Sequence, residues 1–303
     1  MIDVGEKPES LRTATAQALV FVNSAIMDKI KDGNSPKGNI FEAAKISATM
    51  GVKRTSELIP YCHPIPIDGI KVDFKVEQNF IKITVNVKSV WKTGVEMESL
   101  TGASIAALTI YDMLKPLDES LTIESVKVLE KHGGIGDFYE TNIRKLNAVV
   151  IVVSDSRKLE QDESGKIIMN TLSKNGFDII EYKVLPDEIK TIEYELKRFC
   201  DESNIDMIIT TGGTGVSPRD TTPEATKNIL EKEINGIVES LRSYGQKRTP
   251  LSMLSRGVAG IRGNTIIINL PGSVTAVSQS LNVLFPGIIH AFKMIKGHGH
   301  NKH

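Results

Sequence analysis

The sequence predicts two domains of different class: an α+β front half on an antiparallel sheet, and an α/β back half on a mostly parallel, three-layer sheet. Three observations carry this. The chain has 303 residues, too many for one average domain and comfortable for two. A cluster of charge and turn residues at Glu130–Lys145 separates stretches of different texture, which places the domains at 1–143 and 144–303. Ahead of it apolar residues alternate with polar ones, and behind it they form continuous runs spaced by helix-length segments.

In the front half, Ile70–Glu77 and Ile81–Val87 alternate in this way, with Gln78-Asn79 between them as a hairpin turn. Ser99–Leu114 is long, Ala-rich and nearly uncharged, which predicts a buried helix with Glu96 and Glu98 just ahead of it. In the back half, apolar runs at Ala148–Val153, Ile179–Val184, Met207–Thr210 and Thr265–Leu270 alternate with helical segments. A parallel sheet covered on both faces requires that rhythm.

Apolar residues make up 40% of the chain and charged residues 24%, ordinary values for soluble globular protein. Lys plus Arg and Asp plus Glu each number 37, so no global basic field draws the chain to nucleic acid or an anionic membrane. An anionic small-molecule substrate must then be held by local cations and backbone N–H groups. Cys62 and Cys200 are far apart and in no paired spacing, which argues against a disulfide scaffold or a zinc ribbon and for a reducing, cytoplasmic setting. The first residues carry acids and no apolar stretch of signal-peptide type, and no apolar run reaches the ~20 residues of a membrane span. The histidines of the tail at 297–303 could bind metal, although a solvated end is the plainer reading.

Leu58–Pro66 has prolines at 60, 64 and 66, so it cannot be helical, and Pro64 holds His63 extended. A histidine fixed in this way suits an acid, a base or a phosphate donor; it equally suits a structural turn cap. Cys62 could be a nucleophile, but no basic cluster beside it favours the thiolate, and packing is the simpler role. Asp112 and Lys115 lie three apart and share one face of the apolar helix. Ionised groups at the end of a buried helix form either an internal salt bridge or a site. On a regular helix Glu98 and Asp112 stand ~20 Å apart at 1.5 Å per residue. They cannot both touch one reacting atom, so the substrate is long or the site is shared between subunits.

Asp3-Val4, Lys37–Asn39, Lys53–Pro64 (KRTSELIPYCHP), Gly94–Glu98 (GVEME), Leu108–Met113 (LTIYDM) and Leu129–Gly134 (LEKHGG) follow one another in this order. Through them residues 1 to about 140 resemble the cyclic pyranopterin monophosphate synthase (MoaC) family. The antiparallel sheet and its helices are expected to be of ferredoxin-like type. The resemblance implies conversion of a 3′,8-cyclised dihydroguanosine triphosphate to cyclic pyranopterin monophosphate, with release of diphosphate and no tightly bound cofactor. It implies that Lys37, Asp112 and Lys115 form an acid–base set, that Tyr61, Cys62, His63, Met97 and Glu98 contact substrate, and that Lys131 meets phosphate. Family members usually read Gly-Gly-Lys-Ser-Gly after the Glu-Lys dipeptide. Here Gly133–Gly136 is one residue shorter and carries Ile135 instead of the lysine.

In the back half a polar loop follows each predicted strand: Ser154-Asp155-Ser156, Pro186-Asp187-Glu188, Thr211–Gly215 and Pro271-Gly272-Ser273. On a parallel sheet all four gather at the carboxyl edge, where open α/β sheets bind ligands. Gly212, Gly213, Thr214 and Gly215 fit neither the Walker nor the Gly-x-Gly-x-x-Gly spacing, yet can form a nest of N–H groups for an anion. Thr222-Pro223-Glu224 reads as the N-cap and first turn of a helix whose positive end faces the same pocket. Asp187 and Asp220 beside a phosphate repel it unless a divalent cation bridges them, which implies Mg²⁺. Otherwise Arg219-Asp220 is a local ion pair at a helix start.

Val152–Ser156 (VVSDS), Thr210–Ala225 (TTGGTGVSPRDTTPEA), Ser255–Gly260 (SRGVAG) and Asn269–Ser273 (NLPGS) make residues 146 to about 296 resemble the molybdopterin-binding family that includes molybdopterin adenylyltransferase (MogA, MoaB). The resemblance implies ATP with Mg²⁺, Asp187 and Asp220 as catalytic acids, and pterin and nucleotide phosphates on Gly212–Gly215 and Pro271–Ser273, with Asp155 in the same binding set. Val274 stands where a proline is frequent. Members that look alike do not all adenylate, so a non-catalytic molybdopterin-binding or oligomerisation module is the alternative. By resemblance the front half comes from hexamers built as trimers of dimers and the back half from trimers. A shared threefold axis fits both in one homo-hexamer.

Overall fold

Strand β1 (Ser10–Phe21) alternates with period two, and Ala14, Ala16, Ala18 and Val20 fall on its buried face. In this computed structural model, which describes residues 1–30, 34–138, 144–155, 162–202 and 204–295, β1 is one of two inner strands in the sheet of the first of two units, Met1–Asp137. Helix α1 (Ser24–Ile30), the ribbon β2 (Asn34–Ser35) and β3 (Gly38–Asn39), helix α2 (Ile40–Lys53) and the single turn α3 (Thr55–Leu58) follow. The expected hairpin is present as β4 (Gly69–Val76) and β5 (Phe80–Trp91). Helix α4 (Glu96–Leu114) and β6 (Thr122–His132) complete the unit. The sheet runs β4-β5-β1-β6, antiparallel throughout.

Helices α2 and α4 pack on one face of this sheet, and the small residues of α4 let them come close. A Cβ at Gly102 would lie 2.6 Å from Val52 Cγ2, so only glycine fits at that crossing. Ala103, Ala106, Ala107 and Ile110 of α4 share a core with Ala44, Ala48 and Val52 of α2 and with Ile81, Ile83, Val85 and Val87 of β5. Glu96 and Glu98 lie in the first turn of α4 rather than ahead of it. Acids are favourable there because they complement the helix dipole. The expected buried ion pair also differs: α4 ends at Leu114, and Asp112 and Lys115 are each more than half exposed.

The second unit, Phe138–His303, is built from β7 (Leu146–Val153), α5 (Glu163–Lys174), β8 (Phe177–Leu185), α6 (Ile189–Glu202), β9 (Met207–Thr211), α7 (Thr222–Lys227) and β10 (Lys232–Glu233). It continues with α8 (Asn235–Gln246), β11 (Ala259–Arg262), β12 (Thr265–Leu270), α9 (Val274–Leu284) and α10 (Ile289–Ile295). The sheet order is β10-β11-β12-β9-β7-β8. The four predicted strands are parallel, and β10 and β11 add an antiparallel edge.

The continuous apolar runs sort by parity onto two faces. Leu146, Ala148 and Val150 join Ile168 and Leu172 of α5 and Val277 and Leu281 of α9, while Val149, Ile151 and Val153 join Ile192, Leu196 and Phe199 of α6. That is why these strands read as unbroken hydrophobic runs. After β8 the chain crosses over to the far side of β7 to form β9. The resulting switch point between β7 and β9 opens a crevice at the carboxyl edge. Among the described residues no helix is long and apolar enough to cross a membrane. The domain boundary drawn at residue 143 and the histidine tail both lie outside the described residues.

Candidate functional site

In the first unit the site residues fall into two groups at opposite ends of α4. Gly38, with φ +104°, turns the β2–β3 ribbon, and Asn39 caps α2 by accepting from the N–H groups of Phe41 and Glu42. Lys37 sits in the turn just ahead of Gly38, where its N–H donates to Ser35 Oγ, and its side chain reaches the last turns of α4. Its Nζ lies 2.8 Å from Asp112 Oδ2 and 2.8 Å from the Asp112 carbonyl, and Lys115 Nζ lies 2.8 Å from Asp112 Oδ1. Hydrogen bonds from Lys115 and Lys37 hold the Asp112 carboxyl down at about 2. One carboxylate thus orients two ammonium groups in open solvent.

At the amino end of α4, Tyr61, Cys62, His63, Met97 and Glu98 line a cavity of about 600 Å³. Burial, then the charge of Glu98, pushes the Cys62 thiol up, which favours the unreactive thiol. Glu98 is only 3% exposed, and burial pushes its carboxyl up to about 6. Lys131 Nζ binds Glu96 Oε1 at 2.9 Å. Burial alone would raise Glu96, but that hydrogen bond and charge hold it below the usual carboxylate range. Lys7 also lines the cavity, a residue the sequence reading missed because nothing in the pattern of the first segment aims it there. Because α4 is unbroken, Glu98 and Asp112 stay ~20 Å apart along it. The structure therefore does not bring the acid–base set and the cavity residues together within one protomer.

In the second unit the strand-end loops do meet. Asp155 Oδ1 accepts from the Asp187 N–H at 3.2 Å, and Asp187 Oδ1 accepts from the Thr221 N–H at 2.9 Å and the Thr221 hydroxyl at 2.8 Å. Thr211 Oγ1 donates to the Pro271 carbonyl at 2.7 Å. The glycine loop threads between the two acids. A Cβ at Gly213 would sit 2.6 Å from Asp187 Oδ2, and one at Gly215 would sit 2.8 Å from Asp220 Oδ2. Thr214, between these glycines, is buried, and its carbonyl accepts from the Arg256 N–H. Gly272 packs against Gly212, and the Gly272 carbonyl accepts from Ser164 Oγ at 3.1 Å. Ser273 caps α9 through the Ala276 N–H.

Two local readings change. The N-cap of α7 is Thr221, not Thr222, and it makes no side-chain cap; the helix is only six residues long. Arg219 pairs with Asp155 rather than with Asp220, which instead accepts from the Ser217 N–H at 2.8 Å. The Arg219 hydrogen bond also holds Asp155 below the usual carboxylate range. Ser156 lies outside the described residues.

Arg256 and Asn269 lie within the SRGVAG and NLPGS stretches, where nothing in the sequence pattern assigns either a role. Arg256 Nε donates to the Gly215 carbonyl at 2.6 Å, one terminal nitrogen donates to the Asp220 carbonyl at 2.6 Å, and the guanidinium pairs with Glu224. It thereby fixes the loop that carries Asp220. Asn269, 2% exposed, donates to the Thr210 and Thr226 hydroxyls and accepts from the Val258 N–H. A cavity of about 420 Å³ opens beside Pro271 and Ser273, lined also by Arg242, Ser255 and Asn269.

Known proteins share both halves. The MoaC family matches residues 1–134, and the family described as "Probable molybdopterin binding domain" matches residues 149–290. Over 302 residues the chain is 37% identical to the "Molybdenum cofactor biosynthesis bifunctional protein" of Chlorobaculum tepidum, covering 99% of this chain and 96% of that one. A protein of the same description from Synechococcus elongatus is 34% identical over 315 residues, covering 99% and 98%. A "Cyclic pyranopterin monophosphate synthase" of Peptoclostridium acidaminophilum is 43% identical over 140 residues, which is 46% of this chain and 89% of that one. Matched from end to end by two-domain relatives, the chain belongs to the family of bifunctional molybdenum cofactor biosynthesis proteins, with a MoaC-family first half and a molybdopterin-binding second half.

Proposed function

We propose that the first half converts 3′,8-cyclised dihydroguanosine triphosphate to cyclic pyranopterin monophosphate and diphosphate, and that the second half binds molybdopterin and adenylates it with ATP. The observation that carries the first reading is the Lys37–Asp112–Lys115 cluster, two proton-bearing ammonium groups on one ionised carboxylate. Such groups hold and move protons during ring opening and closure and attract a triphosphate. The succession βαββαβ, with β1 beside β5 and β6, supports a ferredoxin-like reading of this unit.

The second reading is supported by a glycine loop that runs between two carboxylates at the switch point of a parallel sheet. The cavity beside Pro271 and Ser273 gives room for a pterin. Among the described residues no group of three His, Cys, Asp or Glu could hold a metal ion alone, which fits Mg²⁺ carried in with nucleotide phosphates. Asp187 and Asp220 would hold that ion, whose charge would offset the phosphates. Around it Gly212–Gly215 offer N–H groups, and Arg256 keeps the Asp220 loop in place.

A homo-hexamer in the cytoplasm is the setting we infer, since the ~20 Å between Glu98 and Asp112 leaves the first site incomplete in one protomer. Light scattering should report about six chains. Incubating the full chain with molybdopterin, ATP and Mg²⁺ should release diphosphate. If none appears while molybdopterin still binds, the second half only holds its ligand.

A further inference from the structure

Arg219 and Arg256 both reach the strand-end loops of the second unit, and they are held very differently. Arg256 donates to the Gly215 and Asp220 carbonyls and pairs with Glu224, so it cannot leave without undoing the loop. Arg219 lies in the stretch that Arg256 pins at both ends. Its N–H donates to Ser217 Oγ at 3.3 Å, and two residues on the Thr221 N–H donates to Asp187. The backbone of Arg219 is therefore set beside the glycine loop, while its side chain, 69% exposed, reaches across to Asp155.

Among the described residues that side chain bonds only Asp155. Nε, at 3.2 Å, and Nη2 both donate to Asp155 Oδ2, because Asp155 Oδ1 already accepts from the Asp187 N–H. A guanidinium grips a carboxylate best with two parallel bonds on two oxygens, and here both fall on one. Asp155 is itself 43% exposed, and an ion pair so open to water contributes little. The charges of Asp187 and Glu188 act on the same guanidinium. A loosely tethered cation thus serves several carboxylates next to the glycine loop.

We infer that Arg219 is an exchangeable counter-cation of the second site: it rests on Asp155, and turns to the phosphate chain of a nucleotide once a divalent ion takes over the charge of the acids. The inference rests on the proposed nucleotide and Mg²⁺ chemistry of that half. It goes beyond it by adding a phosphate-binding residue and the charge exchange that frees it. Arginine suits the role because its planar fork fits phosphate oxygens as it fits a carboxylate. A long exposed side chain on a pinned backbone swings between the two without moving the loop. Its charge adds to the ion and the N–H groups and does not replace them.

Exchange predicts shifts of opposite sign, which a purely structural role does not. In the full chain Arg219→Ala removes a cation that competes with the metal. Mn²⁺, titrated alone as a stand-in for Mg²⁺ and followed by loss of its free-ion EPR signal, should then bind about three- to tenfold tighter. ATP with Mg²⁺, followed by calorimetry, should bind about tenfold weaker, the lost phosphate contact outweighing the released hold on Asp155. Arg219→Lys keeps the charge without the fork, so Mn²⁺ affinity should match wild type and ATP affinity should fall between. Ligand bound by the first unit cancels in these differences, because Arg219 lies in the second. Thermal melting reports whether each variant is folded, and Arg219→Gln repeats both comparisons should the alanine variant not fold. Shifts of the same sign, or either affinity unchanged in the folded variant, would overturn the inference. So would failure of both variants to fold, which would make the Asp155 pair structural. Failure of the proposed activity would appear separately, as no diphosphate from ATP and molybdopterin while the opposite shifts persist.

Discussion

Gly213→Ala tests whether the glycine loop exists to let backbone pass between Asp187 and Thr222. The native φ is +60°, in the left-handed region, where a side chain costs about 1–2 kcal/mol. The added Cβ would lie 2.3 Å from Thr222 Oγ1 and 2.6 Å from Asp187 Oδ2, so one of them must move. Thr222 is fully buried and its hydroxyl is tied to the Gly212 carbonyl at 3.1 Å. Asp187 is half-buried and yields more easily, giving up the bonds from the Thr221 N–H and hydroxyl. Because water can partly replace these, about 1–3 kcal/mol is a fair figure for their loss. The combined loss of about 2–5 kcal/mol should lower the melting of the second unit by ~5–15 °C. Displacing the proposed catalytic acid by about 1 Å should slow diphosphate release from ATP by about 10²-fold. Gly236→Ala is the control: nothing lies within 4 Å of its Cβ position in the first turn of α8, so an alanine there should leave stability unchanged or raise it by up to about 0.5 kcal/mol. A Gly213→Ala protein that melts and turns over like wild type would show that the loop relaxes freely and that Asp187 is not fixed by it.

Lys37→Ala and Asp112→Asn should each lose roughly 10²–10⁴-fold in pterin formation with melting unchanged, since the cluster is exposed; mixing the two variants should restore some activity if neighbouring copies complete the site. Full turnover in either variant contradicts the acid–base role. Asp220→Asn should abolish Mg²⁺-dependent diphosphate release while molybdopterin still binds by fluorescence, and retained release would move catalysis elsewhere. For stability, the folded Glu98 carboxyl lies at about 6 against an ordinary 4.5, so its protonated form is favoured by folding. That contribution, about 2 kcal/mol, is full below pH 4.5 and lost as pH rises through 6. Glu98→Gln should remove this slope from urea unfolding of the first unit, whereas an unchanged slope would assign it to another group.

The parallel strands of the second unit were legible because burial on both faces leaves continuous apolar runs, and Thr265–Leu270 was bounded to the residue. Inner strand β1 was not. Its buried face is Ala14, Ala16, Ala18 and Val20, and alanine is a helix former, so the alternation carries little strand signal. Those alanines are small because α4 packs close to the sheet, a tertiary cause absent from any local window. Edge strand β6 was also unread, its side chains being largely exposed. Among site residues, Lys37 and Asp112 are 75 positions apart, and only the family motifs pointed to both. Arg256 went unassigned because its partners are mainly backbone carbonyls, which leave no trace in composition.

Equal numbers of acidic and basic residues give this chain no net field, yet both proposed substrates are polyanions. The two units meet that demand by different physics. The first exposes Lys37 and Lys115 on a single carboxylate, so under the proposed function solvent-exposed ammonium groups supply the charge and also give up protons. The second surrounds its glycine loop with Asp155, Asp187 and Asp220 and spends Arg256 on its own backbone. Under the proposed function a phosphate there is held by N–H groups and a bridging cation. The distinction has a consequence in salt. Exposed lysines are screened strongly at high ionic strength, whereas N–H groups fixed by a folded loop are screened less. The first reaction should therefore lose substrate affinity with added salt more steeply than the second at a fixed Mg²⁺ concentration.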